Sequence, residues 1–293
     1  FVNRNHFAGW MLMALPLGLG YFFALVARGM RGVKPDWHHR LLWFASPDAS
    51  RVVLVGFGLA VMGVSLVLTF SRSGITCFTI ALLLSGVVAI RHQARGSNRA
   101  VASTYLVLVF VVAVGWAGLD AVAARFERLG ADYAQRTEIW ANTLDVFRDF
   151  PVLGTGLDTL GTAMFVYQTS QPESHIVEAH NDYLQLLAEG GIALAAAALA
   201  LLALFVREVR RRFRDDTPDE GTYWIRVGAV TGLVAIALQE TVEFSLQMPG
   251  NAALFAALAA VAAGRMGHRK KATGYRLRAT GQTGAEGRSR ATG

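Results

Sequence analysis

Residues 52–70 read VVLVGFGLAVMGVSLVLTF and contain no charged side chain. A helix of this length matches the hydrocarbon core of a bilayer, which is about 30 Å thick. Over the whole chain of 293 residues, 53% are hydrophobic and 17% are charged. A soluble globular domain carries about 25% charged residues. The sequence therefore predicts an all-α polytopic membrane protein.

Apolar segments of similar length recur on both sides of this stretch and divide the chain into four regions. The predicted spans are roughly 7–28, 52–70, 74–90, 101–119, 190–206, 223–241 and 250–264. Residues 1–119 hold the first four spans and residues 190–264 hold the last three. Residues 120–189 form one large outward-facing helical loop domain, and residues 265–293 form a basic, disordered tail. Because the chain begins at Phe1 and shows no signal peptide, we expect it to be the C-terminal part of a longer protein.

The formal net charge of +7 lies in short connections rather than on one surface, which argues against nucleic-acid binding. Basic residues follow the third, fifth and seventh predicted spans: Arg91, Arg95, Arg99; Arg207, Arg210, Arg211, Arg212, Arg214; Arg265, Arg269, Lys270, Lys271. Such loops are typically cytoplasmic. Alternation then places residues 71–74, 120–189 and 242–249 on the outer side of the membrane. The single cysteine, Cys77, excludes an internal disulfide.

Three residues on the predicted outer side could carry chemistry. Arg72 precedes the third span, where its guanidinium either extends to lipid headgroups or binds an anion such as phosphate. Arg136 either forms an ordinary surface ion pair or binds an anion. His180 precedes the helix that leads to the fifth span, where it is either structural or a base that accepts a proton from a hydroxyl group.

Two other patterns indicate less. The segment GTGLDTLG at residues 154–161 lacks the preceding strand and the lysine of a nucleotide-binding loop, so it predicts a turn and a helix capped near Asp158. His175, Glu178, His180 and Asp182 could form a metal cluster, but their spacing fits no recognised zinc pattern. The sequence therefore predicts no metal and no cofactor.

Several motifs occur together in a specific order: RTEIW at 136–140, PVLGTG at 151–156 and HNDYLQ at 180–185. SRSG at 71–74 and NRNH at 3–6 accompany them. This set resembles the signature of O-antigen ligases and related polymerases, and the resemblance extends over about residues 1–264. Such proteins usually have ten or more spans, so the resemblance implies that an N-terminal portion is missing here.

The resemblance implies a membrane glycosyltransferase that uses no metal. It would transfer a glycan from undecaprenyl pyrophosphate to an acceptor hydroxyl, such as that of a lipid A-core sugar, with inversion of the anomeric carbon. Arg72 and Arg136 would bind the pyrophosphate, and His180 would be the catalytic base. Asp182, Gln185 and Tyr183 lie in the same block and could support the site, although Tyr183 could equally serve packing. The implied partners are the lipid-linked glycan, the acceptor and membrane lipid.

Other functions remain open at this point. An O-antigen polymerase and a protein O-oligosaccharyltransferase share these motifs and differ in the acceptor. A transporter would place ionisable groups at mid-membrane. Here Glu240 and Glu243 lie near the outer end of the sixth span instead. A non-catalytic scaffold would not require the two arginines and the histidine together.

Overall fold

The computed structural model describes residues 3–29, 38, 43, 45–93, 123–169, 175–215 and 220–265. Within these ranges the chain forms helices and no strand. They are α1 (Arg4–Gly29), α2 (Pro47–Leu68), α3 (Arg72–Gln93), α4 (Ala123–Asp149), α5 (Leu160–Tyr167), α6 (Asp182–Asp215), α7 (Glu220–Gln239), a 3-10 helix (Ser245–Gln247) and α8 (Pro249–Ala263). The predicted span at 101–119 and the tail beyond residue 265 lie outside the described residues.

Four of the helices are long and apolar enough to cross a membrane, namely Arg4–Gly29, Ala49–Leu68, Asp182–Arg214 and Glu220–Gln239. The apolar helices Arg72–Leu84 and Pro249–Ala263 are shorter. Large apolar side chains are exposed along α2 and α6, including Leu54, Phe57, Leu199 and Leu201, each at least 66% exposed. Such faces require an apolar surrounding. The predicted all-α membrane class is therefore confirmed, while the total of seven spans stays a prediction.

The centre of the bundle is the antiparallel pair of α1 and α7. A Cβ atom at Gly228 would lie 2.3 Å from the carbonyl oxygen of Pro16, and one at Gly20 would lie 2.4 Å from that of Trp224. At Gly232, a Cβ atom would lie 2.9 Å from the carbonyl oxygen of Met13. Glycines four residues apart let two helix backbones approach closely, as is common between helices in membranes.

The bundle has two chemically different ends. At one end, Arg226 is fully buried and donates hydrogen bonds to the carbonyl oxygens of Arg212 and Gly264, which joins the ends of α6 and α8 to α7. At the opposite end, α1, α3, α6 and α8 begin and α7 ends. The amide of Asn251 there donates to the carbonyl oxygen of His6 at 3.0 Å.

Helices α4 and α5 pack around a small core of their own at the end of the bundle where α1 and α6 begin and α7 ends. The core contains Ile139, Val146, Leu160, Met164, Ile176, Ala179 and Ala188. Ala188 belongs to the first turns of α6, so this core ties the predicted loop region to the membrane helix that follows it. Arg136 lies in the middle of α4.

Candidate active site

The Glu243 carboxylate lies at the centre of a polar cluster beside the start of α1, the middle of α4 and the end of α7. Its side chain is only 1% exposed. Oε1 accepts hydrogen bonds of 2.8 Å from Nη2 of Arg136 and 2.8 Å from Nδ2 of Asn5. A buried carboxylate is stable only when it is paired and hydrogen-bonded. Glu243 therefore joins two segments that are far from it along the chain.

Arg136, in α4, is held in place by its hydrogen bond to Glu243 and by a second hydrogen bond to the backbone. Its Nη1 donates to the carbonyl oxygen of Val242 at 2.5 Å, beside the bond from Nη2 to Glu243. The side chain is 26% exposed. A guanidinium has five N–H donors, and these bonds occupy two of its atoms. The group is thus anchored at one edge and retains donor capacity at the other.

His180 approaches the other oxygen of the same carboxylate. Its Nδ1 lies 3.9 Å from Oε2 of Glu243, within ion-pair range and beyond hydrogen-bond length. Within the described part of the chain, neither of these two buried atoms has a hydrogen-bond partner. Because Nδ1 faces Glu243, Nε2 points away from it, and the side chain is 35% exposed.

The backbone around His180 is held in an unusual conformation. His180 has a φ of 51°, a left-handed conformation that is uncommon for residues other than glycine. The N–H of Ala179 donates to Oε1 of Gln185 at 3.0 Å, and Nε1 of Trp140 donates to the carbonyl oxygen of Ala179 at 3.0 Å. Strained residues of this kind occur preferentially at functional sites. The surrounding bonds fix where the imidazole points.

Phe244 separates two histidines in this cluster. Its ring contacts His180 edge to face at a centroid distance of 4.9 Å and contacts His6 in the same manner at 4.7 Å. His6 is 7% exposed. The NRNH motif at the start of α1 thus lies beside the histidine of the HNDYLQ motif.

Glu243 and Glu240 have opposite electrostatic environments although they are three residues apart. Burial raises the pKa of Glu243, but the proximity of His180 and the charge and hydrogen bond of Arg136 outweigh it and bring the pKa below the ordinary value of 4.5. Burial and the nearby charge of Asp182 raise the pKa of Glu240 from 4.5 to about 9. The pKa of Glu243 is thus shifted down and that of Glu240 up, so Glu243 keeps its negative charge more readily than Glu240.

The remaining residues of the HNDYLQ motif hold the structure together. Nε2 of Gln185 donates to Glu178 at 2.8 Å and to Glu189 at 3.3 Å. The Tyr183 hydroxyl donates to the carbonyl oxygen of Ala237 in α7 at 2.7 Å. Asp182 accepts a bond of 2.8 Å from Gln247. These bonds tie the first turn of α6 to α7 and to the 3-10 helix.

The PVLGTG motif docks onto the kink of α6. Thr155 and Gly156 donate their N–H groups to the carbonyl oxygens of Ala188 and Glu189, at 3.1 and 2.9 Å. The kink lies at Gly191, whose φ is 61°. A Cβ atom at Gly154, where φ is 68°, would lie 2.2 Å from the carbonyl carbon of Glu189. The motif therefore contributes a backbone contact that only glycine permits.

Glu189 replaces the predicted cap of the following helix. Helix α5 begins at Leu160 with Thr159 as its N-cap residue, next to the predicted position at Asp158, but no side-chain hydrogen bond from Thr159 caps it. Instead the carboxylate of Glu189 accepts hydrogen bonds from the N–H groups of Asp158 and Leu160, at 3.0 and 3.1 Å. Glu189 in α6 thus caps the start of α5, a role that the sequence assigned to Asp158.

Arg72 lies at the same end of the bundle as this cluster. It begins α3, and a Cβ atom at Gly74, two residues later, would lie 2.8 Å from Cβ of Ala8 in α1. Ala8 is half a turn from His6. The structure thus brings His180 and Arg136 together around Glu243 and places Arg72 on the neighbouring helix start. No cluster of His, Cys, Asp and Glu suited to a metal ion occurs in the described ranges.

Glu243 is the functional candidate that sequence reasoning did not select. The sequence showed it only as an ionisable residue just after an apolar span. Such a position is itself a signal, because charged groups near membrane spans are costly and usually functional. Its partners were not identifiable from sequence, since Arg136 is 107 positions away.

Comparison with known proteins shows a similarity to one protein family. No curated protein and no solved structure matches the chain. Residues 57–199 match the family model described as O-Antigen ligase. The matched range contains Arg72, Arg136 and His180, together with the PVLGTG and HNDYLQ motifs. Over residues 57–199, this multi-pass membrane protein is thus similar to the O-antigen ligase family, as its motifs predicted.

Proposed function

We propose that this protein is a membrane glycosyltransferase of the O-antigen ligase type. It transfers a glycan from undecaprenyl pyrophosphate to a hydroxyl group of a lipid A-core sugar on the periplasmic face of the inner membrane. The observation that carries the proposal is the approach of His180 and Arg136 to one buried carboxylate, Glu243, at one end of a bundle of membrane helices. The family match supports the same reaction class.

His180 is the proposed catalytic base. The acceptor hydroxyl gives its proton to Nε2 of His180 as its oxygen forms a bond to the anomeric carbon of the donor. The bond from that carbon to the pyrophosphate oxygen breaks, and undecaprenyl pyrophosphate leaves with the electron pair. In-line attack from the opposite face inverts the anomeric carbon.

Glu243 is the proposed positioning residue. Its Oε2 faces Nδ1 of His180, so a hydrogen bond formed on substrate binding would keep the proton on Nδ1 and leave Nε2 as the base. The negative charge would then stabilise the imidazolium that forms. Arg136 and Asn5 hold the carboxylate from its other oxygen.

Arg136 and Arg72 are the proposed ligands of the pyrophosphate. Guanidinium groups match phosphate oxygens with paired N–H donors, and fixed positive charge stabilises the leaving group as its charge develops. Arg136 is preorganised for this role by its bonds to Val242 and Glu243. Arg72 would reach the same leaving group from the start of α3.

The test uses the complete gene expressed in a host that lacks its own ligase. The parent, His180→Ala and His175→Ala are expressed at matched levels, and the cell-surface glycolipid is separated on a gel. His175 is a matched control, because it lies in the same loop but stacks on Phe165, with a centroid distance of 4.1 Å. We expect a ladder of modified lipid A-core from the parent and His175→Ala, and none from His180→Ala.

Other outcomes would change the proposal in defined ways. A ladder from His180→Ala would refute the base assignment. If the parent gives no ladder, the acceptor is not lipid A-core, and longer lipid-linked chains or glycosylated protein are examined in the same cells. Arg72→Lys and Arg136→Lys should each weaken transfer, whereas Arg148→Lys, in an exposed pair with Asp145, should not.

A further inference from the structure

An open cavity of about 420 Å³ lies beside the His180 cluster, between the first turns of α6, the 3-10 helix and the turn before α5. Small-molecule sites have volumes of roughly 300–1,000 Å³. Its lining includes Asp158, Asp182, Glu189, Tyr183 and Gln247. None of these residues belongs to the proposed binding site for the donor.

The cavity adjoins the proposed base on two sides. Asp182 lies two residues after His180 in the chain. Phe244, whose ring contacts His180, lies three residues before Gln247, and Gln247 donates to Asp182 at 2.8 Å. A molecule bound in the cavity would therefore lie next to the segment that carries the imidazole.

The charge of the residues that line the cavity indicates whether the donor or the acceptor binds there. Three carboxylates and no basic side chain line the cavity, so an anionic pyrophosphate would be repelled there. The guanidinium of Arg136 lies instead on the Glu243 side of His180, the side that Nδ1 faces. The donor pyrophosphate is thus expected on the arginine side, which leaves the cavity for an uncharged or cationic group.

Hydrogen bonds within the protein hold the residues that line the cavity, and the Asp158 carboxylate is still available to accept hydrogen bonds from a ligand. Glu189 holds the backbone N–H of Asp158 at 3.0 Å and that of Leu160 at 3.1 Å. The Asp158 carboxylate itself is exposed, and no bond to its oxygens occurs in the described ranges. Tyr183 is 51% exposed, and its hydroxyl is fixed by Ala237. A sugar ring offers hydroxyl donors for such carboxylates and an apolar face for such a ring.

We propose that this cavity binds a sugar ring of the acceptor, with Asp158 accepting hydrogen bonds from its hydroxyl groups. This inference rests on the proposed function, because it assumes that His180 deprotonates an acceptor hydroxyl. It assigns the donor and the acceptor to opposite sides of His180. The residues Asp158 and Leu186, both in the lining, then determine acceptor affinity without taking part in the chemistry.

The first experiment measures transfer by the purified full-length protein in lipid nanodiscs. The acceptor probe is lipid A-core isolated from the ligase-deficient host, and the donor is its undecaprenyl-pyrophosphate-linked glycan. Asp158→Asn removes the charge and keeps a side chain that tolerates the φ of 61° at this position. Leu186→Trp fills the cavity. The matched controls are Asp145→Asn on exposed α4 and Leu199→Trp on the lipid-facing surface of α6.

We expect Asp158→Asn to raise the apparent KM for the acceptor about tenfold, as loss of one charged hydrogen bond does, with the KM for the donor and kcat changed less than about twofold. Leu186→Trp should raise the acceptor KM by at least as much, and both controls should match the parent. An unchanged acceptor KM in both variants, or a rise in the donor KM instead, would overturn the assignment. Thermal unfolding of each variant shows whether it is folded.

A second experiment separates the cavity from the proposed function. The probe is the lipid-free core oligosaccharide, and its binding is measured without donor by saturation-transfer NMR. Binding by the parent that is lost in Leu186→Trp supports the sugar site even if the parent transfers nothing to lipid A-core, in which case only the proposed reaction fails. If the parent transfers normally and Leu186→Trp binds the oligosaccharide as well as the parent, the cavity assignment is wrong and the proposed function stands.

Discussion

The Oε2 atom of Glu243 lies 3.9 Å from Nδ1 of His180, and the Oε1 atom of the same carboxylate accepts a hydrogen bond of 2.8 Å from Arg136. One buried side chain therefore connects the proposed base with one of the proposed pyrophosphate ligands. A change at Glu243 should disturb both partners, while a change at either partner leaves the other with its carboxylate.

Replacing Glu243 by glutamine tests this connection. The amide keeps the size of the side chain but cannot stabilise an imidazolium, so we expect the transfer rate to fall about 10- to 100-fold. Glu243→Asp should retain more activity than Glu243→Gln, because it keeps the charge. The measurement is the initial rate of transfer in nanodiscs, with Glu220→Gln as the control at the other end of the bundle. A rate for Glu243→Gln within about twofold of the parent would contradict the positioning role.

The lowered pKa of Glu243 makes a prediction about stability and pH. Its pKa in the folded protein is below the ordinary value of 4.5, so the charged form stabilises the fold. This contribution is fully present above about pH 4.5 and is lost as the pH falls through the lowered pKa. The apparent melting temperature of Glu243→Gln in detergent should therefore lie below that of the parent at neutral pH. The difference should shrink as the pH is lowered below 4.5, and a constant difference would contradict the assignment.

Glu240 should show the opposite dependence. Its pKa is raised from 4.5 to about 9 by burial and by the nearby charge of Asp182. The folded protein therefore retains a proton that the unfolded chain loses, so the stability falls as the pH rises from 4.5 to about 9. Glu240→Gln carries no titrating proton, and its melting temperature relative to the parent should increase over this range. Parallel curves for the two proteins would show that Glu240 titrates normally.

More of the fold than of the candidate site could be predicted from the sequence, for a physical reason. A span such as residues 52–70 contains its own signal, because burial in lipid requires a continuous apolar segment. The cluster around Glu243 combines atoms from Asn5 in α1, Arg136 in α4 and His180 in the segment before α6. Local sequence patterns carry no information about such long-range contacts. Only the motif resemblance brought Arg136 and His180 together in advance, and it gave Glu243 no role.

The same limit applies to residues whose roles were assigned from local patterns. Asp158 looked like a helix cap, yet Glu189, which lies 31 positions later, accepts the hydrogen bond from its N–H. Gln185 looked like a possible site residue, yet its amide holds Ala179 and Glu178. In both cases the polar groups are satisfied by the tertiary structure rather than by neighbours in the chain.

Gly154 provides a prediction about the PVLGTG motif. Its φ of 68° is strained for any other residue, and a Cβ atom there would lie 2.2 Å from the carbonyl carbon of Glu189. Gly154→Ala should therefore destabilise the fold by at least about 2 kcal/mol. Gly63→Ala is the matched control, since no described atom lies within 4 Å of a Cβ atom at Gly63 in α2. The amount of folded protein after detergent extraction and its melting temperature measure the effect, and equal values for the two variants would contradict the close contact.

A substitution at Arg226 should affect the stability of the protein without affecting catalysis. Its guanidinium is fully buried and donates to Arg212 and Gly264 at the end of the bundle opposite His180. A lysine has a single charged nitrogen and cannot reproduce the planar pair of donors, so Arg226→Lys should lower the stability by about 2 kcal/mol. The KM for either substrate should not change in the fraction that remains folded, because no contact to the site is lost. Arg210→Lys, at an exposed position of α6, is the control. A KM change in Arg226→Lys would mean that this end of the bundle influences the Glu243 cluster, and an unchanged melting temperature would mean that the buried bonds contribute little.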